Sequence, residues 1–107
     1  MQFKRNLCVA LFVCAHALAS NYSLAASYGS ATWDEADNQI ELNTVCANHI
    51  YGSISSRKCR ARVSKYFVKQ CKAYKKKYSA ASTKNRTKYK NGKSKFCYAA
   101  RRFKIVD

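Results

Sequence analysis

The sequence has no proline, only three glycines, only five acidic residues and no apolar run long enough to cross a bilayer. Each shortage excludes something. With so few chain breakers, the 107 residues favour helices over a succession of tight turns. The longest apolar run, LCVALFVCAHALA at residues 7–19, has 13 residues, short of the roughly 20 a spanning helix needs. Asp34, Glu35, Asp37 and Glu41 hold every acid but Asp107, so residues 57–104 contain none. Ion pairing within the chain therefore cannot neutralise the 19 lysines and arginines of that stretch. No two cysteines are close neighbours in sequence, which argues against a structural zinc site, because such sites draw ligands in pairs. No Gly-rich phosphate loop, H-E-x-x-H or G-x-S-x-G is present, and no cofactor is expected.

The N-terminus has a clear pattern. Lys4 and Arg5 precede the short apolar run, and small residues follow it from Ser20 to Ser27. Charge, apolar run and small-residue zone in that order form a secretory signal, expected over residues 1–25 with cleavage after Ala25; Ala19 is the other suitable position. The remainder, residues 26–107, is expected to be one small exported domain, periplasmic or extracellular. It carries 19 basic and five acidic residues, a net charge of +14.

Cys8 and Cys14 leave with the leader, and Cys46, Cys59, Cys71 and Cys97 remain. An even count in a short exported chain is a disulfide framework. A domain of this size buries only about 60–65% of its unfolded surface, so two covalent loops worth roughly 3 kcal/mol each matter.

Residues 56–78 form the clearest element. Cys59, Val63, Tyr66, Phe67, Gln70, Cys71, Tyr74 and Tyr78 fall on one face at helical spacing. Lys58, Arg62, Lys65, Lys69, Lys72 and Lys76 fall on the other, and Ser55 or Ser56 is expected to cap the start. Residues 26–33 read as a loose N-terminus. Residues 34–50 read as a helix opened by acids, although Ile40, Leu42, Thr44 and Cys46 alternate as a strand would. Residues 79–93 read as a basic loop turning at Asn91-Gly92, and residues 94–103 as a short helix. The expected fold class is therefore all-α: about three helices around a long amphipathic middle one. Cys59 and Cys71 lie about 18 Å apart along that helix, too far to bond. Cys46–Cys59 and Cys71–Cys97, each bracketing a turn, are the expected pairs.

Charge then sets the functional expectation. A cationic field of this strength attracts polyanions and is weakened by salt. The expected role is an exported binding protein that contacts an anionic polymer or surface: nucleic acid, acidic polysaccharide or anionic lipid. Arg62, Lys65, Lys69, Lys72 and Lys76 on the helix, with Lys84, Arg86, Lys88 and Lys90 in the loop, would make the contact. Tyr74, Tyr78, Tyr89 and Tyr98 are interleaved with the lysines as aromatics for stacking on single strands; the helical spacing of Tyr74 and Tyr78 favours the core, and Tyr89 in that loop is the freest. The alternative is a structural or accessory role with an acidic protein partner. A secreted nuclease and a membrane-active antimicrobial protein stand behind these. The nuclease needs an acid–base pair, and His49 is the one histidine outside the leader, with Glu35 or Glu41 as candidate partner. Antimicrobial helices expose a broad apolar face, whereas here that face carries two cysteines.

Overall fold

The computed structural model describes residues 24–104. The leader expected over residues 1–25 lies outside them, apart from Leu24 and Ala25. Strands β1 (Leu24–Tyr28), β2 (Ala31–Ala36) and β3 (Gln39–Glu41) form an antiparallel sheet in the order β1-β2-β3. A single 3-10 turn, Leu42–Thr44, leads by way of a loop into two helices, α1 (Ile54–Ala80) and α2 (Arg86–Arg102). The protein is thus α+β, and the all-α expectation is wrong.

Two hairpin turns explain the difference. Gly29 stands at φ 59 in the two-residue connection between β1 and β2, a position that costs glycine nothing. Asp37 and Asn38 both hold positive φ, 52 and 58, between the paired residues Ala36 and Gln39. That is the backbone of a type I′ hairpin, and it ends any helix that would run through residues 34–50. The acids at 34, 35 and 37 line a hairpin rather than a helix N-terminus. Residues 26–33 are likewise ordered strand, not a loose end. Leu24 and Ala25 pair with Glu35 and Asp34, so a chain cut after Ala25 keeps three of the five β1–β2 pairs.

The sheet buries one face. Ala31 and Trp33 alternate with exposed Thr32, and Ile40 faces inward from β3. Cys46 then takes up the ladder where β3 ends, its amide donating to the Thr32 carbonyl at 2.9 Å. Thr44 braces the corner: its hydroxyl accepts from the Asp34 amide at 2.8 Å and donates to the Glu41 carbonyl at 2.6 Å.

Helix α1 runs 27 residues, about 40 Å at 1.5 Å per residue. Its cap is Ser53, two residues ahead of the nearer expected position, with its hydroxyl accepting from the Ser56 amide at 3.1 Å. Its buried stripe is Ser56, Cys59, Val63, Phe67 and Cys71, all but Ser56 on the face the spacing predicts. Helix α2 begins at Arg86, so most of the expected 79–93 loop is helix and only residues 81–85 connect the two. The reason is Gly92. It is buried against Tyr74 of α1, and a Cβ at this position would stand 2.7 Å from Tyr74 Cζ and closer to two other ring carbons. Gly92 lets the helices approach; it does not turn the chain.

The disulfides are Cys46–Cys59, with Cα atoms 6.1 Å apart, and Cys71–Cys97, at 4.6 Å. This is the connectivity the spacing predicts. One joins the loop after the sheet to α1, and the other joins the two helices. The core lies between sheet and helices around Phe67, whose ring meets Trp33 and Phe103 edge-on, at centroid distances of 5.3 and 5.6 Å. Tyr74 stacks on Phe96 at 5.5 Å. One ion pair crosses this core: Lys95 of α2 donates to Glu35 of β2 at 2.9 Å, while Glu35 also accepts from the Trp33 indole at 2.9 Å.

Candidate polyanion-binding surface

A helix whose apolar stripe is packed must turn its remaining residues to water, and α1 does so with cations. Arg62, Lys65, Lys69, Lys72 and Lys76 are all exposed. Their steps of three and four residues hold them in one row about 21 Å long. Ser64 and the partly exposed Val68 join Lys65, Lys69 and Lys72 around a shallow hollow in that row. Near its start, Arg62 reaches back to the Ser30 hydroxyl at 3.4 Å, which ties the row to the β1–β2 turn.

The second group lies at the other end of the helical pair. Lys84 sits in the connection, and Arg86, Lys88 and Lys90 are exposed on the first turns of α2. The first turn contains no acid, so these cations face the positive end of the helix dipole unrelieved. Arg86 and Lys93 both lie over the Tyr78 ring, at 5.2 and 4.9 Å from its centroid. Asn85 of the Asn85-Arg86-Thr87 glycosylation sequon is exposed at the helix start, where its side chain makes no cap.

The structure adds two cations that the sequence did not single out, Lys93 and Arg101. A cleft of about 550 Å³ opens between the β2–β3 turn and the two helices. Asp37, Asn38 and Gln39 form one wall, Tyr78 and Tyr98 supply aromatic surface, and Lys90, Lys93 and Arg101 supply charge. Asn38 closes one side by donating to the Asn91 carbonyl at 2.9 Å. Of the nine expected cations only Lys90 lines this cleft. The others belong to the α1 row and the open start of α2. Lys93 and Arg101 were legible only once residues 86–102 were known to be one helix.

Some cations are structural. Arg60 donates to the carbonyls of Val45 and Lys104, at 3.5 and 2.9 Å, and lies 4.5 Å over the Phe103 ring. Among the described residues Lys95–Glu35 is the only ion pair, so none of the nine expected contact residues is neutralised by a carboxylate. Tyr66, half-buried and stacked on Tyr28 at 4.1 Å, has its hydroxyl pKa raised above 10.0. Burial is the main cause, and Tyr74, Tyr28 and Glu35 add to it.

Of the candidate nuclease residues Glu35 is engaged, whereas the buried Nε2 of His49 has no hydrogen-bond partner among the described residues. Glu35 is held by Lys95 and Trp33, and His49 is half-buried in a hollow shared with Tyr51, Ser56 and Arg60. Among the described residues no group of three or more His, Cys, Asp or Glu is placed to hold a metal ion. No protein-family model, curated protein or solved structure matches this chain.

Proposed function

We propose that this is an exported cationic binding protein that holds an anionic polymer along α1 and the start of α2. One observation carries the reading: nine lysines and arginines stand exposed in two groups, and no carboxylate pairs with any of them among the described residues. Ordinary surfaces intersperse the two signs, which limits self-repulsion. Here the repulsion is retained, and a bound polyanion relieves it. The two disulfides support export, because such bonds persist in oxidising compartments. Tyr78 and Tyr98 beside Lys90, Lys93 and Arg101 provide stacking surface next to charge, a combination that holds single strands or sugar rings.

Salt titration of the oxidised protein on single-stranded DNA and on heparin tests this. Binding to DNA should weaken with salt at a log–log slope of about −0.7 per phosphate contact. Replacing Lys65, Lys69 and Lys72 together by alanine should reduce that slope by about 2. Retention no stronger than that of a scrambled peptide of equal charge would refute the reading. Capture of one stoichiometric acidic protein without polymer binding would replace it with the accessory role.

A further inference from the structure

Core residues of α1 and the sheet are thoroughly buried, yet three large apolar side chains stand in water within five residues of one another. Ile50 is 82% exposed, Tyr51 73% and Ile54 69%. By contrast, Ile40, Val45 and Val63, the aliphatic residues of the core, are at most 2% exposed. The described residues include three isoleucines, and two of them stand outside the core.

The projection is rigid. The Ser53 amide and hydroxyl both donate to the Ile50 carbonyl, at 3.1 and 2.6 Å, closing a tight turn in which Gly52 takes φ 80. Ser53 then caps α1, and the Cys46–Cys59 disulfide encloses the whole turn in a 13-residue covalent loop. The three side chains are therefore carried at the N-terminal end of a 27-residue helix. Cations follow at once. Arg57 and Lys58 are exposed on the first turn of α1, and Arg57 donates to the Gly52 carbonyl at 3.3 Å. No carboxylate occurs in the chain between Glu41 and Asp107.

We propose that the turn at residues 50–54 is an interfacial anchor that seats the protein on an anionic phospholipid bilayer. Two aliphatic side chains and a tyrosine suit the boundary between headgroups and acyl chains, with the tyrosine hydroxyl left at the wet side. Arg57 and Lys58, directly behind them, meet the anionic headgroups. No described helix is long and apolar enough to cross a membrane, so the contact is made at the surface. Charge decides between occupants: a second copy would bring the same cations to the contact, whereas an anionic bilayer complements them. The anchor uses none of the nine polymer-contact residues, so the protein can hold a polymer and a membrane together.

Vesicle sedimentation tests the anchor, with phosphatidylcholine vesicles compared with vesicles of phosphatidylcholine and phosphatidylglycerol in equal parts. The oxidised protein should bind the anionic vesicles and not the neutral ones. Ile50→Ser with Ile54→Ser should weaken that binding by on the order of tenfold or more, because the apolar area no longer leaves water. Both positions are exposed, so circular dichroism and the absence of free thiols should match the parent. In a separate protein with Tyr51→Trp, fluorescence should shift to the blue on anionic vesicles. The proposal fails if the double variant binds as tightly as the parent, which would make the attraction purely electrostatic, or if the parent binds neither vesicle. It also fails if the parent self-associates in solution and the double variant does not, which would make the turn a contact between copies. Polymer binding by the double variant should stay unchanged, which separates this test from the one for the proposed function.

Discussion

Replacing Gly92 by alanine tests the helix pairing most directly. In an unpacked helix interior this change stabilises by about 1 kcal/mol, since alanine has the better propensity. Here the new methyl would stand 2.7 Å from Tyr74 Cζ and nearer to Cδ1 and Cε1. The ring cannot simply slide, because it stacks on Phe96 with planes 15° from parallel. Nor can the helices part freely, because Cys71–Cys97 ties them at a Cα separation of 4.6 Å. Overpacking of this kind costs about 1–3 kcal/mol, and disturbing the stack adds about 0.5–1.5 kcal/mol. Against the propensity gain, Gly92→Ala should destabilise by about 1–3 kcal/mol, a Tm lower by about 4 °C or more in a domain this small. The sign should reverse once the ring is removed: in a Tyr74→Ala background, Gly92→Ala should raise stability by about 1 kcal/mol. Thermal and urea unfolding of the four oxidised proteins gives the full cycle. A Gly92→Ala protein as stable as its parent, or the same sign in both backgrounds, would refute the close packing of α1 on α2.

Two other predictions concern charge and pH. Glu35→Gln should cost about 1–2 kcal/mol in urea unfolding, because Lys95 loses its counter-charge in a site where both side chains are largely buried, 20% and 16% exposed. A larger loss for Glu35→Gln at low than at high salt is not expected, since a pair this sheltered is weakly screened. Tyr66 has its pKa raised in the fold, so the unfolded chain ionises it first. Its contribution to stability is intact below about pH 10 and declines as pH rises beyond that value. Tyr66→Phe should flatten this alkaline decline relative to the parent, and an identical decline in both proteins would contradict the buried environment assigned to Tyr66.

The two helices and the two disulfides differ in how far the sequence disclosed them. The row from Cys59 to Tyr78 is periodic over six turns, and burial follows it closely, so α1 was readable. The disulfide connectivity followed from it, since a helix fixes the distance between Cys59 and Cys71. The first half of α2 was hidden by one dipeptide. Asn91-Gly92 is a common turn pair, yet counting Gly92 as a packing position restores the spacing Tyr89, Gly92, Phe96, Ala99 and Phe103. The sheet was hidden by its brevity: three strands of five, six and three residues carry too few alternations to stand out. The readable signals were Gly29-Ser30 and Asp37-Asn38, each a two-residue hairpin connection. The exposed cations were legible from composition alone. The cleft was not, because it joins the β2–β3 turn to residues some 40–60 positions further along the chain.

The division of charge between the two layers has a mechanical consequence. Asp34, Glu35, Asp37 and Glu41 all belong to the β2–β3 hairpin, while the helices carry the cations. The folded molecule is consequently an electric dipole as well as a net cation. In the field of a polyanion it experiences a torque as well as an attraction, and it rotates helices-first while still about a Debye length away. Approach then begins with the cationic helices forward, so orientation, which usually slows association, is settled before the surfaces touch.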